Sequence, residues 1–338
     1  MRGRSLSLAG AIEERMTMGY VLTDFTEVPD LVAQVTKLDN SAFAEYEGAM
    51  AFDEAVSGWY LQRPGTDLQM CQAALDGSTL VSQVIVCAQP LQLGGRTMRC
   101  GIIDSVATDP RHRKQGLARQ LMERAHEAMQ AAGLDVAVLY TNPFDHPYRF
   151  YGRLGYVERA RASMMIGART SPSECGAQVV DASEEADSLR ALLNGYYGSY
   201  EGFSPLSEEI WRWHKVASPV KPTVVAETSG SGAVSTATFA DAPVRIEGHD
   251  YTVSMAYDIA ATVMNADAYE SLLSLAPRDM LGLIVDERSP EYGWAESMGL
   301  EPRVAEVSMV LPFSSEACAA LEEHSAPWYV MMESVVGV

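Results

Sequence analysis

Residues 106–118 read Val-Ala-Thr-Asp-Pro-Arg-His-Arg-Lys-Gln-Gly-Leu-Ala, and this segment is the one best suited to chemistry. It places a tight turn between a buried strand and a long helix. Arg113, Gly116 and Ala118 fit the spacing R-x-x-G-x-A. Successive backbone amides of Lys114, Gln115, Gly116, Leu117 and Ala118 can converge on a diphosphate, with the positive end of the helix behind them. Gly116 lets the backbone approach closely, and Ala118 keeps the first turn thin. Arg111, Arg113 and Lys114 form a basic island on a chain of net charge -20, an efficient local trap for phosphate. The plainer alternative is a polar turn that caps a helix. The nucleotide loop GxxxxGK[ST] is absent, and so is GxGxxG after a strand, which disfavours a dinucleotide fold.

Other chemically capable residues stand outside this loop. Asp104 sits inside an apolar strand, which needs a reason. Two residues before Val106, it is expected on the same side of the strand. It serves either catalysis and substrate binding or a structural hydrogen bond. His146 lies between Pro143 and Pro147, as a proton shuttle or a plain loop histidine. Glu45, Glu47, Asp53 and Glu54 cluster on an early helical stretch, as a cation-binding wall or a solvated face. Trp211, Trp213 and His214 form a cluster that reads first as packing between domains. The five cysteines form no CxxC, and no histidine is spaced four residues from a carboxylate, so no metal site is expected.

The elements that must position these groups follow from composition and periodicity. A chain of 338 residues corresponds to roughly two domains. A hydrophobic fraction of 47% supplies real cores and excludes wholesale disorder. The acidic surface repels nucleic acid and anionic lipid and attracts amines. No apolar run reaches transmembrane length, and no secretory signal is expected. The odd, sparse cysteines suit a reducing compartment, so a cytoplasmic location is expected.

Segments 16–22, 68–74, 80–88 and 96–107 read as strands, with Asp76-Gly77 and Gly94-Gly95 as turns. Helical stretches are expected from about 27 to 38 and from 43 to 61. Residues 116–131 carry Leu117, Leu121, Met122, Ala125, Ala128 and Met129 at helical spacing, and Gly133 is a C-cap. A strand at 136–140, a short helix at 148–154 and a strand at 155–166 follow. Residues 167–178 have linker composition. Asp181 and Glu184 suggest a capping box for a helix to 197. Strands at 224–227, 234–239, 251–257, 281–285 and 304–313, helices at 265–275 and 315–323, and a last strand at 328–336 complete the second half.

Residues 104–118 resemble the acyl-coenzyme-A-binding signature of the GNAT acetyltransferases. Phe150-Tyr-Gly-Arg-Leu-Gly-Tyr156 is similar to that family's second signature, F-Y-x-x-x-G-[FY], and falls in the right order after it. The resemblance covers about residues 15–167. Within the family, Tyr151-Gly-Arg-Leu-Gly-Tyr156 resembles the Eis-like group of aminoglycoside and lysine N-acetyltransferases, and the second half resembles that group's degenerate GNAT-like domain. That group carries a third, sterol-carrier-like domain, for a full copy of which the chain stops too early. The resemblance implies an α+β fold, a mixed α/β sandwich of tandem GNAT-like domains, each a mostly antiparallel twisted sheet flanked by helices. The expected division is 1–167 catalytic, 168–177 linker and 178–338 degenerate second domain, with homo-oligomers as in the group it resembles.

The same resemblance implies acetyl-CoA as co-substrate and no metal. It places the thioester carbonyl against the amides of Val106 and Ala107, with Asn142 among the coenzyme-binding residues. It makes Tyr151 the acid toward the coenzyme-A sulfur, a role suited to a neutral phenol, whereas Tyr156 reads as core. Asp104 or His146, or else a terminal carboxylate or water, would handle the amine proton, and Glu45, Glu47, Asp53 and Glu54 would line the acceptor site. No cysteine sits beside a base, so direct attack in a ternary complex is expected. The expected reaction is transfer of an acetyl group to a primary amine of a cationic small molecule, an aminoglycoside-like antibiotic or natural-product amine. The alternatives are a protein or peptide lysine acetyltransferase and a noncatalytic acyl-CoA-binding regulatory module.

Overall fold

The computed structural model describes residues 16, 17, 19–44, 52–171, 176–230, 232–246, 249–322 and 326–331. Among these residues thirteen strands form one continuous sheet in the order β1-β2-β3-β4-β5-β6-β13-β7-β12-β11-β10-β9-β8. The first half contributes β1 (Met16–Thr17), β2 (Tyr20–Asp24), β3 (Gln72–Asp76), β4 (Thr79–Leu93), β5 (Arg96–Thr108), β6 (Val136–Thr141) and β7 (Val157–Ala168). The second contributes β8 (Gln178–Val179), β9 (Thr223–Ser229), β10 (Gly232–Ile246), β11 (His249–Ala261), β12 (Met280–Asp286) and β13 (Glu301–Pro312). All neighbours are antiparallel except β5–β6 and β11–β12.

Separate sheets for the two halves were expected; the structure joins them. β13 pairs with β6 and β7, and β7 pairs with β12 and β13. Each half's last strand thus lies on the other half's parallel strand, and β7 runs through the position read as the domain boundary.

Helices cover both faces. They are α1 (Leu31–Phe43), α2 (Glu54–Leu61), α3 (Leu117–Ala131), α4 (His146–Arg153), α5 (Ala186–Tyr197), α6 (Glu208–Trp211, continued by a π-helical turn, Arg212–Val216), α7 (Ala266–Leu273), α8 (Pro290–Ser297) and α9 (Ser315–Glu322). The amphipathic pattern of α3 is realised: Leu117, Leu121, Met122, Ala125 and Met129 are buried together with Ile103, Leu139 and Tyr151 in one apolar cluster. On the opposite face α1 and α2 cover Ile85 and Ala107. There Trp59 and Trp213 stack at 4.3 Å with planes 7° apart. Each indole N–H donates to the other's carbonyl, at 2.9 and 2.8 Å.

Several boundaries differ from the sequence reading. α1 runs five residues past Leu38, and α2 starts only after Asp53. Asp181 caps a turn by accepting the Ser183 N–H at 2.8 Å, and α5 opens later, after Glu185. α8 was not expected. The predicted final strand makes a single bridge between Trp328 and Glu201 within the described residues. No helix among them is long and apolar enough to cross a membrane.

Candidate active site

The site is built where β5 leaves β6. The two strands pair at Cys100–Val136, Gly101–Ala137 and Ile102–Val138, and then part. Past that point the β6-facing edge of β5 has no ladder partner on β6. On its other side β5 carries a bulge: Gln83 faces Ala107 and Ile85 faces Asp104, so Ser105 and Val106 oppose the single residue Val84. Ser105 takes a left-handed φ of 41°. The bulge breaks the two-residue alternation on which Asp104 was expected to share a side with Val106.

The loop between β5 and α3 follows. Among the described residues, the N–H groups of Lys114, Gln115, Gly116, Leu117, Ala118 and Arg119 meet no acceptor. Gly116 occupies the N-cap position at φ 79° and offers no side chain to cap the helix. Lys114 is also left-handed, at φ 62°. These amides at a helix N-terminus are what a diphosphate needs.

The three cations of the loop do not act alike. Arg111 makes a fork to Asp109, with Nε to Oδ1 at 3.0 Å and Nη2 to Oδ2 at 2.9 Å. That pairing holds the Asp109 carboxyl down at about 2. Arg113 donates to the carbonyls of Thr108 at 3.2 Å and Ala42 at 2.9 Å. It therefore ties the loop to the last turn of α1, where carbonyls are free to accept. Lys114 remains exposed, with no ion pair among the described residues.

Two carboxylates meet at the bulge. Asp104 is half-buried, its Oδ1 accepts the Ser105 N–H at 2.9 Å, and the Tyr60 hydroxyl donates to its Oδ2. Behind it lies Asp39, buried on α1. Its Oδ1 accepts Ser105 Oγ at 2.6 Å and Gln83 Nε2 at 2.9 Å. Burial pushes the Asp39 carboxyl up to about 7, and the Asp104 charge adds to the rise, while the Ser105 and Gln83 bonds oppose it. Such a carboxyl exchanges a proton near neutrality. The sequence reading missed Asp39 because it ended the helix at Leu38. The signal was present: Val35, Leu38, Asp39 and Ala42 are the buried positions of α1, so Asp39 stands on an apolar stripe.

Tyr151 is buried on α4, in the apolar cluster that holds Ile103 and Leu139, the first residues past the parting of β5 and β6. Tyr156 is core, with its hydroxyl 2.9 Å from His126 Nε2. His146 is exposed at the start of α4. Five residues turn a helix by about 140° beyond one full circle, so His146 and Tyr151 leave α4 on different faces. The Asn142 carboxamide oxygen accepts the Phe144 N–H at 2.9 Å and shapes the loop after β6. Asp53 caps α2 through the Val56 N–H at 2.9 Å. Glu54 faces an open groove of about 1070 Å3 that also touches Glu208, Glu209 and Arg212. Glu45 and Glu47 lie outside the described residues. Among those described, no cluster of three or more His, Cys, Asp or Glu side chains is arranged for a metal ion.

Residues 29–158 match the family model described as the acetyltransferase (GNAT) domain. The chain has a GNAT-like α+β fold. Its structure is similar to that of Saccharomyces cerevisiae N-myristoyltransferase with bound myristoyl-CoA, at a TM-score of 0.68 and 11% identity over 89% of this chain and 80% of that one. A second structure of that enzyme, bound to myristoyl-CoA and inhibitors, matches at a TM-score of 0.68 and 10% identity over 88% of this chain and 81% of that chain. No curated protein sequence matches the chain.

Proposed function

We propose that the chain is an acyl-CoA-dependent N-acetyltransferase that acts on a primary amine of a cationic small molecule. One observation carries this reading: a run of free amides at the start of α3 adjoins the gap where β5 parts from β6. The amides of residues 114–118 would hold the diphosphate of coenzyme A, and the amides of Val106 and Ala107, at and just past the bulge, would face the thioester oxygen. Asp104, exposed enough to meet an acceptor, would hold the incoming ammonium. Asp39 would take its proton, with Ser105 linking the two carboxyls. The neutral amine attacks the carbonyl carbon, the C–N bond forms, the C–S bond breaks as Tyr151 gives its proton to the sulfur, and the second proton leaving the nitrogen restores the phenol. The acidic surface favours a cationic acceptor. The aminoglycoside class rests on the resemblance of residues 151–156 alone; the comparisons do not single it out.

We also propose that residues 1–167 and 178–338 are tandem GNAT-like units, joined by 168–177, that exchange their last strands. Support comes from the repeated pairing. Each half has a long hairpin with a bulge, at Ser105–Val106 and at Asp258–Ile259, followed by a short parallel pairing that then parts. The reciprocal Trp59–Trp213 bonds fit a two-fold relation between them.

A second reading, transfer of a longer acyl chain, is favoured by the likeness to structures holding myristoyl-CoA. The test is coenzyme-A thiol release from acetyl-CoA and myristoyl-CoA across polyamine, aminoglycoside and lysine-peptide acceptors. Turnover with acetyl-CoA and a small polyamine or aminoglycoside is expected, reduced about a hundredfold or more in Tyr151→Phe. Preference for the long chain would install the second reading. No turnover with any pair would remove both, and unchanged Tyr151→Phe turnover would remove that residue as the acid.

A further inference from the structure

The second half of the sheet also opens. β11 and β12 pair at Ser254–Leu281, Met255–Gly282 and Ala256–Leu283 and then part. A cavity of about 50 Å3 lies in that gap, lined by residues of both strands, of α5, α7 and α8, and by Trp328, Tyr329 and Val330. One water needs roughly 10–15 Å3 by the same kind of measure, so the space suits a group of a few heavy atoms.

Three carboxylates line this cavity, and two have their own cation. Asp258 meets Lys215 Nζ at 2.6 Å, with both side chains at most 1% exposed. Asp286 pairs with Arg288 at 2.5 Å and accepts the Trp328 N–H at 2.7 Å. Glu291, 5% exposed, has no cation among the described residues. Its Oε1 accepts the hydroxyls of Tyr196 at 2.6 Å and Tyr200 at 2.8 Å. Its Oε2 has no hydrogen-bond partner. Neither has the hydroxyl of Tyr269, 0% exposed, nor that of Ser289, 8% exposed.

We propose that this cavity is a binding pocket for a primary ammonium group. A buried carboxylate without a cation demands a positive partner, and every other carboxylate of the wall already has one. The Glu291 Oε2, Tyr269 and Ser289 oxygens lack hydrogen-bond partners, and R–NH3+ brings three donors and no acceptor. Phosphate and carboxylate ligands are repelled by Glu291. A divalent metal ion takes about six or more oxygens, and among the described residues no group of three or more His, Cys, Asp or Glu side chains is arranged to hold one. Tyrosine rings on the wall add attraction for an organic cation. The pocket belongs to the other half of the sheet from the acyl-transfer gap, and it stands whether or not that reading does.

The test titrates the full chain with methylammonium chloride by calorimetry and thermal unfolding at constant ionic strength. Potassium chloride and tetramethylammonium chloride are run in parallel. Saturable binding of methylammonium alone is expected. Glu291→Gln is expected to weaken it roughly tenfold or more, and Tyr269→Phe, which keeps the ring, roughly threefold to tenfold. Without ligand, Glu291→Gln is expected to melt above the parent, because an uncompensated buried charge is gone. The proposal is overturned by absent methylammonium binding, by equal binding of potassium, or by unchanged affinity in a folded Glu291→Gln variant. A crystal grown in methylammonium with only ordered water in the cavity would overturn it as well.

Discussion

Replacing Asp39 by Asn removes the charge of the buried carboxyl and keeps its shape. Both bonds to it, from Ser105 Oγ at 2.6 Å and Gln83 Nε2 at 2.9 Å, end on Oδ1. A carboxamide oxygen in that place accepts both. Burial raises the Asp39 carboxyl from an ordinary 3.8 to about 7. The folded chain therefore binds more protons than the unfolded chain between those values, and stability falls as pH rises through that window. About three pH units at about 1.36 kcal/mol each give a loss on the order of 4 kcal/mol at pH 8 relative to pH 4. Asn carries no such liability. Asp39→Asn should match the parent near pH 4 and exceed it by up to about 4 kcal/mol at pH 8. Urea unfolding of both proteins across this range reads the difference directly. Acyl transfer at pH 8 should fall by about a hundredfold or more over the same substitution. Parallel pH–stability curves for the two proteins would refute the account of Asp39, since its charge would then cost the fold nothing.

Other substitutions probe the remaining parts. Gly116→Ala introduces a Cβ that meets only Gln120 Nε2, at 3.7 Å, but at a φ of +79° it strains the backbone by about 1–2 kcal/mol. The expected result is a KM for acetyl-CoA raised roughly tenfold in the thiol-release assay, with little change in kcat. Lys215→Met leaves Asp258 buried without its cation and should cost about 3–5 kcal/mol in denaturant unfolding. Gly202→Ala places a Cβ 2.2 Å from Trp328 Cε2. It should push the 326–331 segment off its seat, read as faster hydrogen exchange at the Tyr329 amide, now bonded to the Glu201 carbonyl at 2.7 Å, with α3 protection unchanged.

Local patterns made much of this architecture legible. The hairpin at Asp76-Gly77, the strand of β5, the stripe of α3 and the Gly133 stop all follow from turn chemistry and periodicity, and the structure places them within a few residues. What escaped depends on contacts between distant segments. The exchange of β7 and β13 leaves no local mark, because a strand flanked by either half's neighbours carries the same apolar alternation. The bulge at Ser105–Val106 is set by the register of β4 against β5. The partners of Arg111 and Arg113 were hidden for the same reason. A basic cluster reads as a phosphate trap until Asp109 and the end of α1 are seen to occupy two of its members. Asp39 was hidden because the expected helix ended at Leu38, one residue before it, whereas α1 runs to Phe43.

The two gaps in the sheet differ in what they offer an anion such as a diphosphate. Both follow a bulged strand that parts from its parallel neighbour. The difference lies in what begins the next helix. Gly116 has no side chain, so the first amides of α3 stay free. Asn265 fills the same position before α7, and its side chain accepts the Ala268 N–H at 2.9 Å. The connection there reads Thr-Val-Met-Asn, with no cation, against Arg-His-Arg-Lys in the first half. The second gap is further blocked by Trp328 to Val330, with the Tyr329 hydroxyl bonded to Asp258. Of the two gaps, the first offers an anion the bare amides of α3. The second gap presents instead a carboxylate that lacks a counter-ion, and so it selects the opposite charge.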